Sequence, residues 1–113
     1  MKATFIEVTG FTEWVVEILS DKEYSKLQKE MMEDPEAGDV MPGCGGLRKL
    51  RVGDRKRGKG KRGGARIIYL HIPSAQRFYM IDIYGKDDKD DLTTDEKRTV
   101  RALAESLKKS VRT

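Results

Sequence analysis

Two apolar segments separated by a short turn constrain the fold of this 113-residue chain most strongly. Residues 65–72 (ARIIYLHI) and 77–84 (RFYMIDIY) are rich in β-branched and aromatic side chains, which favour β-strands. Residues 73–76 (PSAQ) have the composition of a turn. Both segments are apolar on both faces, so we expect two central strands covered by helix on at least one side.

Two further strand patterns, at residues 3–8 and 47–52, complete a predicted four-stranded sheet. The short connection between the last two strands predicts that the later strands form an antiparallel meander. The predicted fold class is therefore α+β, with a small, antiparallel-rich sheet in a single domain over residues 1–113. We expect the helices to pack on one face of this sheet and the other face to be open to solvent.

Three helices are predicted around the sheet, and two of them begin with a recognisable cap. Ser20 and Glu23 have the spacing of a capping box, and Thr93 and Glu96 repeat that spacing before the last apolar stripe. Thr12 is predicted to cap a shorter helix before these two. The predicted element order is β-α-α-β-β-β-α.

A concentrated basic segment spans residues 48–66, which hold ten Lys or Arg side chains and one acid. The rest of the chain carries 13 basic and 18 acidic side chains, so the net charge of +4 conceals an asymmetry. A cationic lobe on a small domain is typical of proteins that bind nucleic-acid phosphate.

Strand periodicity predicts that several cations converge on one face of the sheet. Lys49 and Arg51 share one face of the second strand because alternate residues point the same way. Arg66 opens the third strand, and Lys86 follows the fourth. Such convergence costs self-repulsion unless an anion binds, and phosphate is the anion that guanidinium and ammonium groups clamp best.

The middle of the basic segment, RKRGKGKRGG, admits two interpretations. The simpler one is a solvated hairpin tip, because its glycines favour a mobile loop over a preorganised pocket. The other is an element that docks on RNA. The segment lacks the order GxxxxGK[ST] of a phosphate-binding P-loop and has no aromatic side chain for base stacking.

The remaining reactive residues favour no second site. His71, the only histidine, is in phase with Ile67 and Tyr69, so a packed, hydrogen-bonded core residue is expected rather than a general base. No His, Cys or carboxylate cluster has metal-ligand spacing, so neither a metal nor another cofactor is predicted. A single cysteine, Cys44, and the lack of signal-like or membrane-spanning runs predict a cytoplasmic protein with no membrane partner.

The run GGLRKLRV, a basic loop, GGARIIY, FYMIDIYGK and a closing amphipathic helix together resemble RelE-superfamily toxins, most closely the HigB-type branch of bacterial type II toxin–antitoxin modules. The likeness covers almost the whole chain in order. It implies a domain of the microbial-ribonuclease type and a ribosome-dependent endonuclease that cuts mRNA in the ribosomal A site without metal. The implied partners are mRNA, the ribosome and a cognate antitoxin, a HigA-type helix-turn-helix protein that alone would contact operator DNA.

The resemblance also implies site residues. In this sequence the matching positions are Lys49 and Arg51 on the second strand, Arg66 on the third, and Lys86 after the fourth. These cations would stabilise the phosphorus while the ribose 2′-OH attacks it. No tyrosine follows Gly85, so the general base is open between Tyr84 and a neutral Lys49. A second set is predicted to contact RNA or the ribosome: Arg48, Arg55, Lys56, Arg57, Lys59, Lys61 and Arg62.

A noncatalytic alternative follows from the same charges. A module that binds structured RNA or DNA through the basic loop at residues 55–64 would not need Arg66 for chemistry. Neutralising the loop would then abolish function, whereas the enzyme interpretation predicts that Arg66→Ala and Lys86→Ala are the most damaging changes.

Overall fold

A mixed β-sheet organises the chain in a computed structural model that describes residues 2–53, 58, 60, 64–85, 89 and 91–111. Within these residues the sheet has five strands, in the order β1-β5-β4-β3-β2. The elements are β1 (Thr4–Glu7), α1 (Thr9–Ile18), α2 (Asp21–Glu33), β2 (Asp39–Val40), β3 (Arg48–Val52), β4 (Ala65–Ile72), a 3-10 turn (Pro73–Ala75), β5 (Arg77–Gly85) and α3 (Thr94–Ser110).

The two apolar segments form the central strands β4 and β5, as predicted. They pair antiparallel, and β3 pairs antiparallel with the other edge of β4. The prediction of four strands was wrong by one, because β2 is only two residues long and too short to show a periodicity. β1 runs parallel to β5, which makes the sheet mixed.

Helices cover both faces of the sheet, so the prediction of a solvent-open face was wrong. On one face, α1 and α2 pack over a core that includes Phe11, Met31 and Ile67. On the other, α3 packs over a second core that includes Ile68 and Ala104. The physical reason was already in the sequence: strands that are apolar on both faces need cover on both.

A β-bulge changes which side chains of β5 face α3. The register between β4 and β5 shifts between Ile68 and Tyr69, which leaves Ile81 as the extra residue. Strict alternation from Ile81, which faces α3, would turn Ile83 the same way. Instead Ile83 joins the core under α1 and α2, and Tyr84 faces α3.

Both predicted capping boxes are present. Ser20 accepts from the amide of Glu23 at the start of α2, and the Glu23 carboxylate accepts from the amide of Ser20. Thr93 and Glu96 make the same reciprocal pair at the start of α3. These bonds satisfy amides that a helix start otherwise leaves without partners.

The first helix begins at Thr9 with Val8 as its N-cap, so the prediction that Thr12 caps this helix was wrong. The Thr12 hydroxyl instead donates to Glu7 Oε1 at 2.8 Å. The other oxygen of Glu7 accepts from the Tyr24 hydroxyl at 2.5 Å. Glu7 therefore joins the end of β1 to both helices on that face.

Candidate active site

Three predicted site residues lie in one row across the sheet. Arg51 of β3 is directly opposite Arg66 of β4, and Arg66 is directly opposite Tyr84 of β5. Directly opposite side chains on neighbouring strands have Cβ atoms about 5 Å apart. The row faces α3, since the alternating neighbours of each residue pack under α1 and α2.

Lys49 lies on the same face, two residues from Arg51, as strand alternation predicted. Its ammonium is 3.4 Å from Oδ1 of Asp91, which precedes α3. Lys97 of α3 lies 3.1 Å from Oδ2 of the same carboxylate. The structure thus brings together Lys49, Arg51 and Arg66, and it adds Lys97, which the sequence pattern did not predict at this site.

Arg66 is the most enclosed of these cations. It is 7% exposed, and its Nη1 donates to the backbone oxygen of Ala65 at 3.1 Å. Arg51 is exposed at the rim of the same row. Because Arg66 is held between two strands, its guanidinium is fixed in direction, which suits a group that must meet one phosphate in one geometry.

Tyr84 is buried beside Arg66, under Lys89. Its hydroxyl has no hydrogen-bond partner within the described part of the chain, and Lys89 Nζ lies 5.6 Å from the ring centroid. Burial, with a further contribution from the negative charge of Asp91, raises the pKa of Tyr84 to about 12. At neutral pH the hydroxyl is therefore protonated, so it is suited to donate a hydrogen bond and poorly suited to act as a base.

Asp82 is a second titratable group that the sequence pattern did not predict at this site. It lies opposite Ile68, whose side chain packs in the core under α3, and one carboxylate oxygen accepts from the amide of Ile83 at 2.9 Å. Burial raises its pKa, although that amide and the charge of Lys89 oppose the shift. The signal that could have revealed it is an acid inside an otherwise apolar strand.

Arg48 lies apart from this cluster, although the sequence predicted that it contacts RNA or the ribosome. It alternates with Lys49 and points to the α1 and α2 face of β3. There its guanidinium donates to the backbone oxygens of Gly38, at 2.7 Å, and Glu36, at 3.3 Å. These bonds give Arg48 a local role in holding the segment before β2.

The other predicted site residues lie outside the described residues. Lys86 of the catalytic set is one of them. The remainder belong to the predicted RNA-binding set: Arg55, Lys56, Arg57, Lys59, Lys61 and Arg62. Their assignments stay predictions.

His71 faces away from the cluster, on the α1 and α2 side of the sheet. Its ring stacks on Phe78 with 4.5 Å between ring centroids, so the prediction of a packed histidine is confirmed. Its Nε2 is buried and has no hydrogen-bond partner among the described residues, so the predicted hydrogen bonding is not found at that atom. Burial lowers the His71 pKa.

Together, the α3 face of β3, β4 and β5 offers three cations, a protonated tyrosine and a half-buried carboxylate. Guanidinium and ammonium groups at this spacing can bind a phosphodiester and stabilise charge that develops on it. Among the described residues, no group of three His, Cys, Asp or Glu side chains could hold a metal ion. No helix within the same residues is long and apolar enough to cross a membrane.

Comparisons with known proteins agree with this architecture. A family model described as the RelE toxin of the RelE/RelB toxin–antitoxin system matches residues 9–113. The structure of a double arginine-to-alanine mutant of the E. coli toxin RelE in the free state superposes with a TM-score of 0.55 at 16% identity, covering 88% of this chain and 97% of that chain. The isolated E. coli RelE toxin superposes with a TM-score of 0.50 at 18% identity, covering 90% and 99%.

At such identities the two structures support the fold alone, which matches the predicted α+β class. The family match is stronger, because it extends over nearly the whole chain and includes β3, β4 and β5, which carry Arg51, Arg66 and Tyr84. Membership of this family implies a cognate antitoxin as partner. The chain belongs to the RelE family of toxins from bacterial toxin–antitoxin systems.

Proposed function

We propose that this toxin is a ribosome-dependent endoribonuclease that cuts mRNA in the ribosomal A site and so inhibits translation. The observation that carries the proposal is the row of Arg51, Arg66 and Tyr84, with Lys49 beside it on the same face. Guanidinium and ammonium groups on one face of the sheet can bind the oxygens of an RNA phosphodiester through charge-assisted hydrogen bonds.

The proposed reaction needs groups of this face, the RNA itself and water. The ribose 2′-OH attacks the adjacent phosphorus and releases its proton to water, the bond to the 5′-oxygen breaks, and that oxygen takes up a proton. The products carry a 2′,3′-cyclic phosphate and a 5′-hydroxyl. Arg66 and Lys49 would stabilise the extra negative charge on the phosphoryl oxygens. Losing one such group commonly lowers the rate by about 100-fold or more.

Tyr84 would act in this reaction as a hydrogen-bond donor. Its pKa of about 12 keeps the phenol protonated at neutral pH, so it can donate to a phosphoryl oxygen or protonate the leaving 5′-oxygen. A site with few groups that titrate near neutrality depends on the ribosome to align the 2′-oxygen with the phosphorus. Free RNA should therefore be a poor substrate.

Cleavage in growing bacteria tests the proposal directly. The toxin is induced in cells that lack the antitoxin, and 5′ ends are mapped on a translated message and on the same message without a start codon. We expect growth arrest and codon-phased ends only on the translated message. Growth without arrest, or ends that ignore the reading frame, would refute the proposed function.

Paired variants connect cleavage to the site. Arg66→Ala should abolish codon-phased ends, and Arg98→Ala serves as the matched control because Arg98 is an exposed arginine of α3 that pairs with Asp95. Neutralising the basic loop distinguishes the noncatalytic alternative. If loss of the loop charges abolished toxicity while Arg66→Ala kept it, the protein would be a binding module.

The antitoxin is proposed to be a HigA-type helix-turn-helix protein. Its co-expression should restore growth and yield a stable complex that can be purified. The complex should bind operator DNA, and the isolated toxin should not. A complex that forms but leaves translation inhibited would contradict this part of the proposal.

A further inference from the structure

The carboxylate of Asp91 lies where two cations from distant parts of the chain meet. Lys49 of β3 approaches Oδ1 at 3.4 Å, and Lys97 of α3 approaches Oδ2 at 3.1 Å. Each oxygen therefore faces one ammonium group. Two unesterified oxygens of a phosphodiester would present the same pattern to the same two lysines.

Asp91 precedes α3, so its carboxylate can move away from the two lysines without disturbing that helix. Thr93 is the N-cap of α3, so Asp91 lies two residues before the cap and outside the hydrogen-bonding pattern of the helix. Its Oδ1 also accepts from the amide of the next residue, Leu92, at 2.8 Å. Leu92, between them, is buried and anchors the backbone. Glu96, by contrast, is fixed inside the helix, where one oxygen accepts from the Thr93 amide and the other from Lys89.

The side chains of this ion-pair cluster are partly exposed, which also favours displacement of Asp91 by RNA. The side chains of Lys49, Asp91 and Lys97 are 30%, 44% and 43% exposed. Ion pairs between partly exposed groups contribute little net stability, because water and salt compete for both partners. An RNA strand that contacts several cations at once also releases counterions, an advantage that a single carboxylate does not have.

We propose that Lys97 is a further RNA-phosphate-binding residue and that Asp91 holds the phosphate position between Lys49 and Lys97 until RNA displaces it. This inference rests on the proposed function in taking RNA as the ligand. The proposed RNA-binding surface then extends from Arg51, Arg66 and Lys49 on the sheet to Lys97 near the start of α3. In the absence of RNA, Asp91 would also lower the mutual repulsion of the two lysines.

Binding of an uncleavable RNA tests this inference. The probe is a labelled single-stranded oligonucleotide with 2′-O-methyl riboses, titrated with the full-length toxin at several salt concentrations. Asp91→Asn should bind about twofold to tenfold tighter, because it removes a competitor whose ion pairs have the usual surface strength. Lys97→Gln should bind weaker by a similar factor and lower the slope of log K against log salt by about 0.7.

Matched controls come from the neighbouring ion pair on α3. Asp95 and Arg98 are more exposed and pair with each other, so Asp95→Asn and Arg98→Gln change the net charge by the same amounts without touching the site. Both should keep the wild-type affinity within about twofold, as exposed charges distant from a phosphate have little effect. Lys97→Arg should keep the affinity and the salt slope.

Three outcomes would overturn the inference. Weaker RNA binding by Asp91→Asn would mean that Asp91 positions the two lysines. Equal effects of Asp91→Asn and Asp95→Asn would indicate that net charge alone sets the affinity. Unchanged binding by Lys97→Gln would mean that Lys97 does not contact the RNA. Each result is independent of the cleavage assay. Absence of codon-phased cleavage by the wild type would refute the proposed function, whereas cleavage with any of these binding results would refute only the inference.

Discussion

Replacing Tyr84 with phenylalanine should separate the stability of this site from its activity. Tyr84 is 5% exposed, and its hydroxyl is buried without a hydrogen-bond partner in the described part of the chain. A buried polar group without a partner costs the folded state about 1–3 kcal/mol. Phenylalanine keeps the ring and its packing but removes the unsatisfied hydroxyl, so the free variant should be more stable than the wild type.

The expected gain is about 1 kcal/mol, the lower end of that range, because the rest of the tyrosine ring still fills the same space. With an unfolding entropy of about 2.1 cal/mol/K per residue, a chain of this length should melt about 4 °C higher. Cleavage should change in the opposite direction. A hydrogen bond to a charged phosphate oxygen contributes about 1.5–3 kcal/mol, so its loss should slow cleavage by roughly 10- to 100-fold.

Thermal unfolding of the free toxin and ribosome-dependent cleavage measure the two effects on the same preparation. Tyr69→Phe is the matched control, since Tyr69 is a fully buried tyrosine on the neighbouring strand. Its hydroxyl donates to the backbone oxygen of Pro35 at 2.8 Å and accepts from the amide of Gly38 at 3.0 Å. Its removal leaves both groups unsatisfied and should cost about 2 kcal/mol.

If Tyr84→Phe destabilised the protein as Tyr69→Phe does, the Tyr84 hydroxyl would have a partner in the free protein, and the prediction would be refuted. A variant that is more stable and fully active would remove the hydroxyl from the chemistry. The pH profile is a further check. A tyrosine with a pKa of about 12 should produce no change in rate between pH 6 and 9.

Three further substitutions test other features. Burial raises the pKa of Asp82 in the folded protein, so the folded state loses stability as pH rises through the unfolded-state pKa and then the folded-state pKa. In denaturant titrations, Asp82→Asn should therefore be more stable than the wild type at pH 7 but not at pH 3. Gly38→Ala should lower the free energy of unfolding by about 1–3 kcal/mol, because its Cβ would lie 2.9 Å from the Tyr69 ring. Gly10→Ala in α1 meets no atom within 4 Å and should raise the free energy of unfolding by about 0.5 kcal/mol. The hydrogen bond from Lys89 is the main cause of the lowered pKa of Glu96. The stability that this pair contributes to the wild type is therefore lost as pH falls through that pKa. Glu96→Gln keeps the helix cap and should not show this loss of stability at acidic pH.

Local signals predicted the parts of the fold that local physics controls. The predicted strand at residues 65–72 has the observed bounds, and both capping boxes form, because apolar strand composition and caps act over a few residues. The same holds for Lys49, Arg51 and Arg66, whose common face follows from alternation along β3 and from the direct pairing of β3 with β4.

Features that depend on the partner strand or on distant residues could not be predicted in this way. The bulge at Ile81 turns Asp82 and Tyr84 toward α3 without a signal in the sequence, because a bulge is set by pairing with β4 rather than by the residues of β5. The ion pairs of Asp91 with Lys49 and Lys97 join segments far apart in the chain. They depend on where α3 crosses the sheet.

Among the described residues, three acids near Arg51, Arg66 and Tyr84 differ in what holds them, and this difference decides which one RNA can replace. Asp82 is half-buried in β5, so moving it would disturb the sheet. Glu96 caps α3, so moving it would cost that helix about 1 kcal/mol. Asp91 belongs to neither element; besides the amide of Leu92, its carboxylate contacts two lysines that RNA would engage directly. Electrostatic balance in the free toxin and access for phosphate are therefore compatible, because the acid that pairs with Lys49 lies in neither a strand nor a helix.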